Sequence, residues 1–571
     1  MLPGLSCHDA RPSDMRTRAL LLCLCLAFAS GGAPLPQHPA TPGPRLVLVL
    51  SIDQMRFDYL TRFRPLYTGG LKTLLDRGAV FSNAHYRHAN SETGPGHAVI
   101  TSGQSAWYTG IVANQWYDGF LKRLVNVVED PTVVPLGGPG RGASPVHFLG
   151  FTIGDMLKKR DPAARVVGVS LKDRSAILMA GPRADGAYWY ETQGGNFITS
   201  SYYTKSAPGW LAAWNAKRVV DGYAGKDWTR MLPPDVYEKH AGPDRMPGEF
   251  DGKDTVFPHA FRGQPPEFAF YDSFRRSPMA DEVTLDVALQ ALQAHDLGTD
   301  DATDLLAIGF SATDVIGHAY GPNSQEILDQ LLRLDQTLGR LFAALETRIG
   351  MSRILVALSA DHGVMPLVER LQSQGVAAQR TTNDAFQKAV AASLEQRFPG
   401  RSGLVALQVG PDVWLDLDQI ARQGLRRADV EAAVEAGLLA TGVVSRVYTH
   451  ARLQGEAPPD DPAFALMRAS FFAPRSPHVT GMTKEFVYVG SYPGGTGHGG
   501  PYEDDLHVPV VFMGSAVAPG FYDKPAGPED IAPTLAALLG IEYPLQDGSR
   551  LLTEMFAKGA PSASSAPGST R

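Results

Sequence analysis

The sequence predicts an α/β sandwich around a mostly parallel sheet, with two long insertions over the face where the core loops emerge. Three observations predict it. Apolar runs of strand length recur along the chain, helical spacing of apolar residues fills the gaps between several of them, and two long stretches break the alternation.

The first run, Leu46 to Ile52 (LVLVLSI), is continuously apolar, as a strand covered on both faces requires. Similar runs lie at Arg165 to Ser170, Leu305 to Phe310, Ile354 to Ser359, Phe486 to Val489 and Val508 to Met513. Ile327, Leu328, Leu331, Leu334, Leu338 and Leu341 follow a helical period. Ile531, Leu535, Leu538 and Leu539 do the same and end at Gly540, a helix stop. The interruptions fall at about 182–278, rich in aromatic residues such as Tyr188, Trp189 and Tyr190, and at about 366–483, with short strands of its own and a helix near Ala428 to Ala440. The main domain is expected over 45–556, after a Pro/Gly/Ala-rich linker at 30–44; the small polar residues of 557–571 read as a disordered tail.

The N-terminus reads as an export signal over residues 1–29, with Met15 as an alternative start. Arg16 and Arg18 precede an apolar stretch from Ala19, and Ala27-Phe28-Ala29 fits the cleavage rule. That stretch is shorter than the about 20 residues a bilayer span needs, so no stable membrane insertion is expected after cleavage. All three cysteines (Cys7, Cys23, Cys25) fall within the signal. A mature chain without cysteine excludes disulfides, a thiol nucleophile and thiolate-bound zinc, so a metal must be held by His and carboxylates. The formal net charge is −7, and removing the signal deletes three Arg and two Asp, leaving −8. That balance gives no reason to expect nucleic acid as a partner. A periplasmic or secreted monomer acting on small molecules is expected.

Polar groups gather after the apolar runs. Asp53 follows the first; Lys172 and Arg174 follow the second; Asp314 and His318 follow the third; Asp361-His362-Gly363 follows the fourth; Gly497-His498-Gly499 follows the fifth. Ligands of open α/β sheets bind outside the carboxyl ends of the strands. Three Asp and three His suit two zinc ions with three protein ligands each, and such a pair can clamp the attacking and leaving oxygens of a displacement. Thr93-Gly94-Pro95-Gly96 reads as a helix start able to receive an anion. His97, four residues further on, reads as a structural residue.

Together, Asp53, the Thr93–His97 segment, Asp314-x-x-x-His318, Asp361-His362-Gly363 and Gly-His498-Gly resemble the alkaline phosphatase superfamily. The likeness is to its phosphodiesterase/nucleotide pyrophosphatase-like branch, and within it to phosphate-irrepressible alkaline phosphatases of the PafA type. It extends to the Tyr188-Trp189-Tyr190 and Ser201-Tyr202-Tyr203 segments and to Asp530-Ile-Ala-Pro-Thr-Leu. The resemblance implies an alkaline-phosphatase-like α/β/α sandwich and two Zn²⁺ per chain. One would be held by Asp314, His318 and His498; the other by Asp53, Asp361 and His362, with Thr93 as a further ligand. Thr93 would be the nucleophile, phosphorylated in passing, and Asn114, Lys172 and Arg174 would contact the phosphoryl group. Lys172 and Arg174 are expected to alternate on an extended segment and so point the same way. Sulfatase activity is excluded because Thr93 cannot become formylglycine and the segment lacks the arginine of a sulfatase motif. The expected reaction is hydrolysis of phosphate monoesters with release of inorganic phosphate. The alternative is a phosphodiesterase or nucleotide pyrophosphatase using the same metals. A catalytically inactive binding protein would lack a ligand or the nucleophile, and none is missing.

Overall fold

A computed structural model describes residues 43–490, 494–546 and 548–558. The expected signal peptide, all but the last two residues of the linker, and all but the first two of the tail lie outside them.

Ten strands form the main sheet among the described residues: β1 (Leu46–Ile52), β2 (Ala79–Phe81), β3 (Pro135–Leu136), β4 (Val166–Ser170), β5 (Gly186–Glu191), β6 (Asn196–Ser200), β7 (Asp304–Phe310), β8 (Ile354–Ser359), β9 (Val510–Met513) and β10 (Gly520–Tyr522). Their order is β10-β2-β9-β8-β1-β7-β4-β5-β6-β3. The central strands β8, β1, β7, β4 and β5 all run parallel. β9 lies antiparallel to β8 and β2, β6 to β5, and β3 to β6.

β1 shows why its sequence is apolar without a break. Leu46, Leu48, Leu50 and Ile52 face a core shared with the helix Gln325–Arg348 (α4). Val47 and Val49 face the opposite core, shared with the helix Ile531–Leu538 (α5). A period of two, apolar on both sides, is the signature of a strand between two helical layers. Ile327, Leu331, Leu334, Leu338 and Leu341 are all buried along α4. No described helix is long and apolar enough to cross a membrane.

Two sequence expectations change. The aromatic stretch read as the start of an insertion at 182 supplies β5 and β6, so Tyr188, Trp189 and Tyr190 belong to the main sheet. The apolar run Phe486 to Val489 does not enter that sheet; Val487–Val489 pairs in parallel with Gln379–Thr381. The last run enters it antiparallel, because apolar composition reports burial and carries no sign of direction. Within 366–483, strands Val405–Val409, Asp412–Leu415, Val479–Thr483 and Val444–Thr449 form a separate antiparallel sheet. Helices Asn383–Arg397 and Arg427–Ala440 share its core.

Candidate active site and metal centre

The carboxyl ends of β1, β4, β7 and β8 converge as the strand order requires. Asp53 extends β1, its N–H donating to Phe310 O at 2.9 Å. Beyond β7, Asp314 and His318 lie one turn apart in the helix Ala312–Tyr320 (α3). Beyond β8 come Asp361 and His362, both fully buried. Thr93 opens the helix Thr93–Ser102 (α1) and is 1% exposed. Lys172 precedes the helix Asp173–Ala180 (α2), and Arg174 lies in its first turn. The extended segment expected there is thus a helix start, and the two cations reach one target from either side of its first residue.

That target is Thr93. Lys172 Nζ and Arg174 Nη2 lie 3.4 and 3.3 Å from Thr93 Oγ1. Lys172 Nζ also lies 2.7 Å from Asp53 Oδ2 and 2.6 Å from Asp314 Oδ2. Burial opposes its charge, yet the two carboxylates hold the ammonium above its ordinary range. Asn114 Oδ1 accepts from Gly94 N at 2.8 Å, which fixes its amide beside the α1 start.

His498 and His318 approach Asp314 Oδ1 through Nε2, at 3.6 and 3.2 Å. His362 Nε2 lies 3.3 Å from Asp361 Oδ2 and 3.7 Å from Asp53 Oδ1. In each ring, Nδ1 faces a main-chain carbonyl: Thr496 for His318 at 2.8 Å, Gly363 for His362 at 3.0 Å, and Ser91 for His498 at 2.6 Å. A carbonyl only accepts, so Nδ1 carries a hydrogen in each ring and Nε2 is the nitrogen left to ligate at the centre. Asp314, His318 and His498 form one compact set of ligand atoms; Asp53, Asp314 and His362 form another; Asp53, His97 and Asp361 form a third. His97, whose Nδ1 lies 2.8 Å from Thr93 O and 3.2 Å from Asp361 Oδ2, ties the α1 start to that carboxylate.

Charges there are strongly coupled. Burial and the neighbouring Asp361 push the Asp53 carboxyl up to about 6. Burial also disfavours ionised Asp314, but Lys172 and His318 override it and hold this carboxyl well below its usual range. Asp53 Oδ1 and His362 Nε2 are buried without a hydrogen-bond partner. Unpaired, desolvated acceptors of this kind call for a cation. A set of carboxylate oxygens and imidazole nitrogens fits zinc.

Three contributors carried no sequence signal. Gln54 donates from Nε2 to Asp314 and from its backbone to Asp361. Ser91 supplies the carbonyl for His498. Asp505 Oδ2 accepts from Gly499 N and Gly500 N at 3.1 and 2.9 Å, fixing the loop after His498.

A threonine at a helix start, two cations on its hydroxyl and an adjoining His/Asp centre define a hydrolase-type site on an α/β sheet. The chain belongs to the Type I phosphodiesterase / nucleotide pyrophosphatase family, which it matches over residues 47–502. Among its relatives, alkaline phosphatase PafA of Elizabethkingia meningoseptica is 33% identical over 530 residues, spanning 91% of this chain and 96% of its own. Alkaline phosphatase PhoV of Synechococcus elongatus is 32% identical over 556 residues, 94% of this chain and 99% of its own. The crystal structure of wild-type PafA matches this fold with a TM-score of 0.84 at 32% identity, covering 91% of this chain and 100% of that one.

Proposed function

We propose that this chain is an exported, zinc-dependent alkaline phosphatase that hydrolyses phosphate monoesters through a phosphothreonine at Thr93. The observation that carries the proposal is the contact of Lys172 Nζ and Arg174 Nη2 with Thr93 Oγ1, at 3.4 and 3.3 Å. A monoester dianion brings charged oxygens that need donors away from the metals, and two fixed cations beside the nucleophile meet that need. Relatives named alkaline phosphatases over more than 90% of this chain support the same reading. The apolar N-terminal stretch supports export.

Asp314, His318 and His498 would hold one zinc, and Asp53, Asp361 and His362 the other, with Thr93 as its further ligand. Zinc at these positions supplies Lewis acidity, favouring the ionised hydroxyl and neutralising charge on the departing oxygen. Thr93 Oγ1 gives its proton to water and forms a bond to phosphorus while the bond to the leaving oxygen breaks, and that oxygen departs with the electron pair and takes a proton from water. Lys172 and Arg174 hold the transferring phosphoryl oxygens, with Asn114 Nδ2 as a third donor. Attack of water on phosphorus then frees Thr93 and inorganic phosphate.

Turnover of an aryl phosphate against its bis-aryl diester tests the reaction class. The monoester is expected to be strongly preferred; a diester preference would support the second reading, a phosphodiesterase, the activity in the description of the matched family. Acid quenching during turnover should trap phosphate on Thr93, and Thr93→Ala should abolish the adduct while keeping the metal content. Unchanged turnover in that variant would refute the nucleophile assignment.

A further inference from the structure

We infer that Gln54 is a positioning residue that couples the two halves of the metal centre, and that Gly317 exists to make room for it. The inference rests on the two-ion reading above.

Gln54 directly follows Asp53, is fully buried, and has φ of +66°, a left-handed conformation that non-glycine residues seldom adopt. That backbone turns its N–H onto Asp361 Oδ1 at 3.0 Å and sends its side chain the other way, where Nε2 donates to Asp314 Oδ1 at 2.9 Å. One residue thus holds a carboxylate from each proposed ion set. The amide tip is packed over α3 at Gly317, between Asp314 and His318. A Cβ at Gly317 would lie 1.9 Å from Gln54 Oε1, and its next contact outside Gln54 is Ile327 Cδ1 at 3.6 Å. Gly317 occupies a helix interior, where glycine is about 1 kcal/mol less favourable than alanine. The sequence therefore carries an unfavourable backbone at Gln54 and an unfavourable helix residue at Gly317, and the pair interlocks at the centre. A hydrogen bond to a ligand carboxylate sets its direction and basicity, and losing one lowers metal affinity about 10–100-fold.

The test is stepwise zinc binding to the full-length protein, measured by competition with a chromophoric chelator, together with thermal unfolding of the metal-free form. Gln54→Gly suits the positive φ and keeps the N–H to Asp361 while removing the side chain that carries the amide; Gly317→Ala displaces the amide while leaving Gln54 in the sequence. Each single variant is expected to weaken one of the two zinc-binding steps about 10–100-fold. Neither is expected to lower the unfolding temperature of the metal-free protein. The double variant should bind no more weakly than either single, because both changes remove the same contact. Unchanged binding in both singles would overturn the inference, as would additive losses in the double variant or equal weakening of both steps with reduced metal-free stability. Wild-type protein that takes up fewer than two ions would instead overturn the two-ion reading, and this inference with it.

Discussion

The imidazole rings of His362 and His498 stack with centroids 3.5 Å apart and planes 19° apart. Two imidazolium ions do not share that stack. Burial and the neighbouring His498 hold His362 neutral, well below the ordinary histidine range. Burial presses His498 the same way, but the Asp314 carboxylate overrides it and lifts the ring to about 9. In the ion-free protein the stack therefore carries one positive charge, on His498, whose Nε2 proton must leave before that nitrogen can ligate. Zinc uptake below pH 9 should release one proton from this ring, with affinity rising about tenfold per pH unit between pH 7 and 9. Calorimetry in buffers of different ionisation enthalpy measures the release; pH-independent affinity across that window would contradict it.

Lys172 and Arg174 both reach Thr93 from one helix start, so their loss should be felt where charge on the phosphoryl group is greatest. Replacing either with alanine, assayed at saturating zinc, should lower kcat/KM for a monoester about 10²–10³-fold. The diester, with one oxygen alkylated, should lose much less. Equal losses on both substrates would remove the reason for assigning these cations to a dianion.

Much of this arrangement was legible because strand ends are punctuated in sequence. A continuous apolar run followed at once by Asp53, or by Asp361-His362, marks both a central strand and what it presents. The convergence of segments as distant as Asp53 and His498 followed from that rule. What stayed hidden has no local pattern. Nothing in Gln54 announces a left-handed backbone or a partner more than 250 residues away. Tyr188 to Tyr190 read as a covering segment because aromatic residues suit an exposed binding face as well as a sheet strand. Lys172 and Arg174 reach the Thr93 hydroxyl from a helix start and not from the expected extended segment, since a spacing of two does not distinguish the two.

Gly96 offers a third test. A Cβ there would lie 2.1 Å from Asp361 O and 2.7 Å from both Asp361 C and Cα. All three are backbone atoms at the end of β8, so no rotamer change relieves the contact. Gly96→Ala must push α1 away from Asp361, moving the threonine at its start with it. The expected loss is about 1–3 kcal/mol of stability, as for an overpacked core, with metal affinity reduced in step. Thermal unfolding and zinc titration check it; a variant as stable and as tightly metallated as wild type would show that the close approach of α1 and β8 is not required.

His259 lies 5% exposed between Asp254 Oδ1 at 2.8 Å and Glu326 Oε1 at 3.0 Å, with Tyr320 Oη 3.2 Å from its Nδ1. Burial alone would lower this histidine, but the two carboxylates raise it to about 9. Glu249, 3% exposed and with both oxygens unpaired, is pushed up to about 9 by burial and by Glu326. Both groups hold a proton in the folded protein that they release at lower pH when unfolded, near pH 6.5 for the histidine and 4.3 for the glutamate. Between about pH 6.5 and 9 the native state thus binds more protons than the unfolded state, and stability must fall as pH rises. The slope is at most about 1.4 kcal/mol per pH unit for each group. Glu249→Gln keeps the neutral, uncharged form at every pH and should flatten the decline, whereas the wild-type protein should lose unfolding temperature steadily over that window. Equal slopes for the two proteins would mean that Glu249 titrates in the folded state as it does in the open chain.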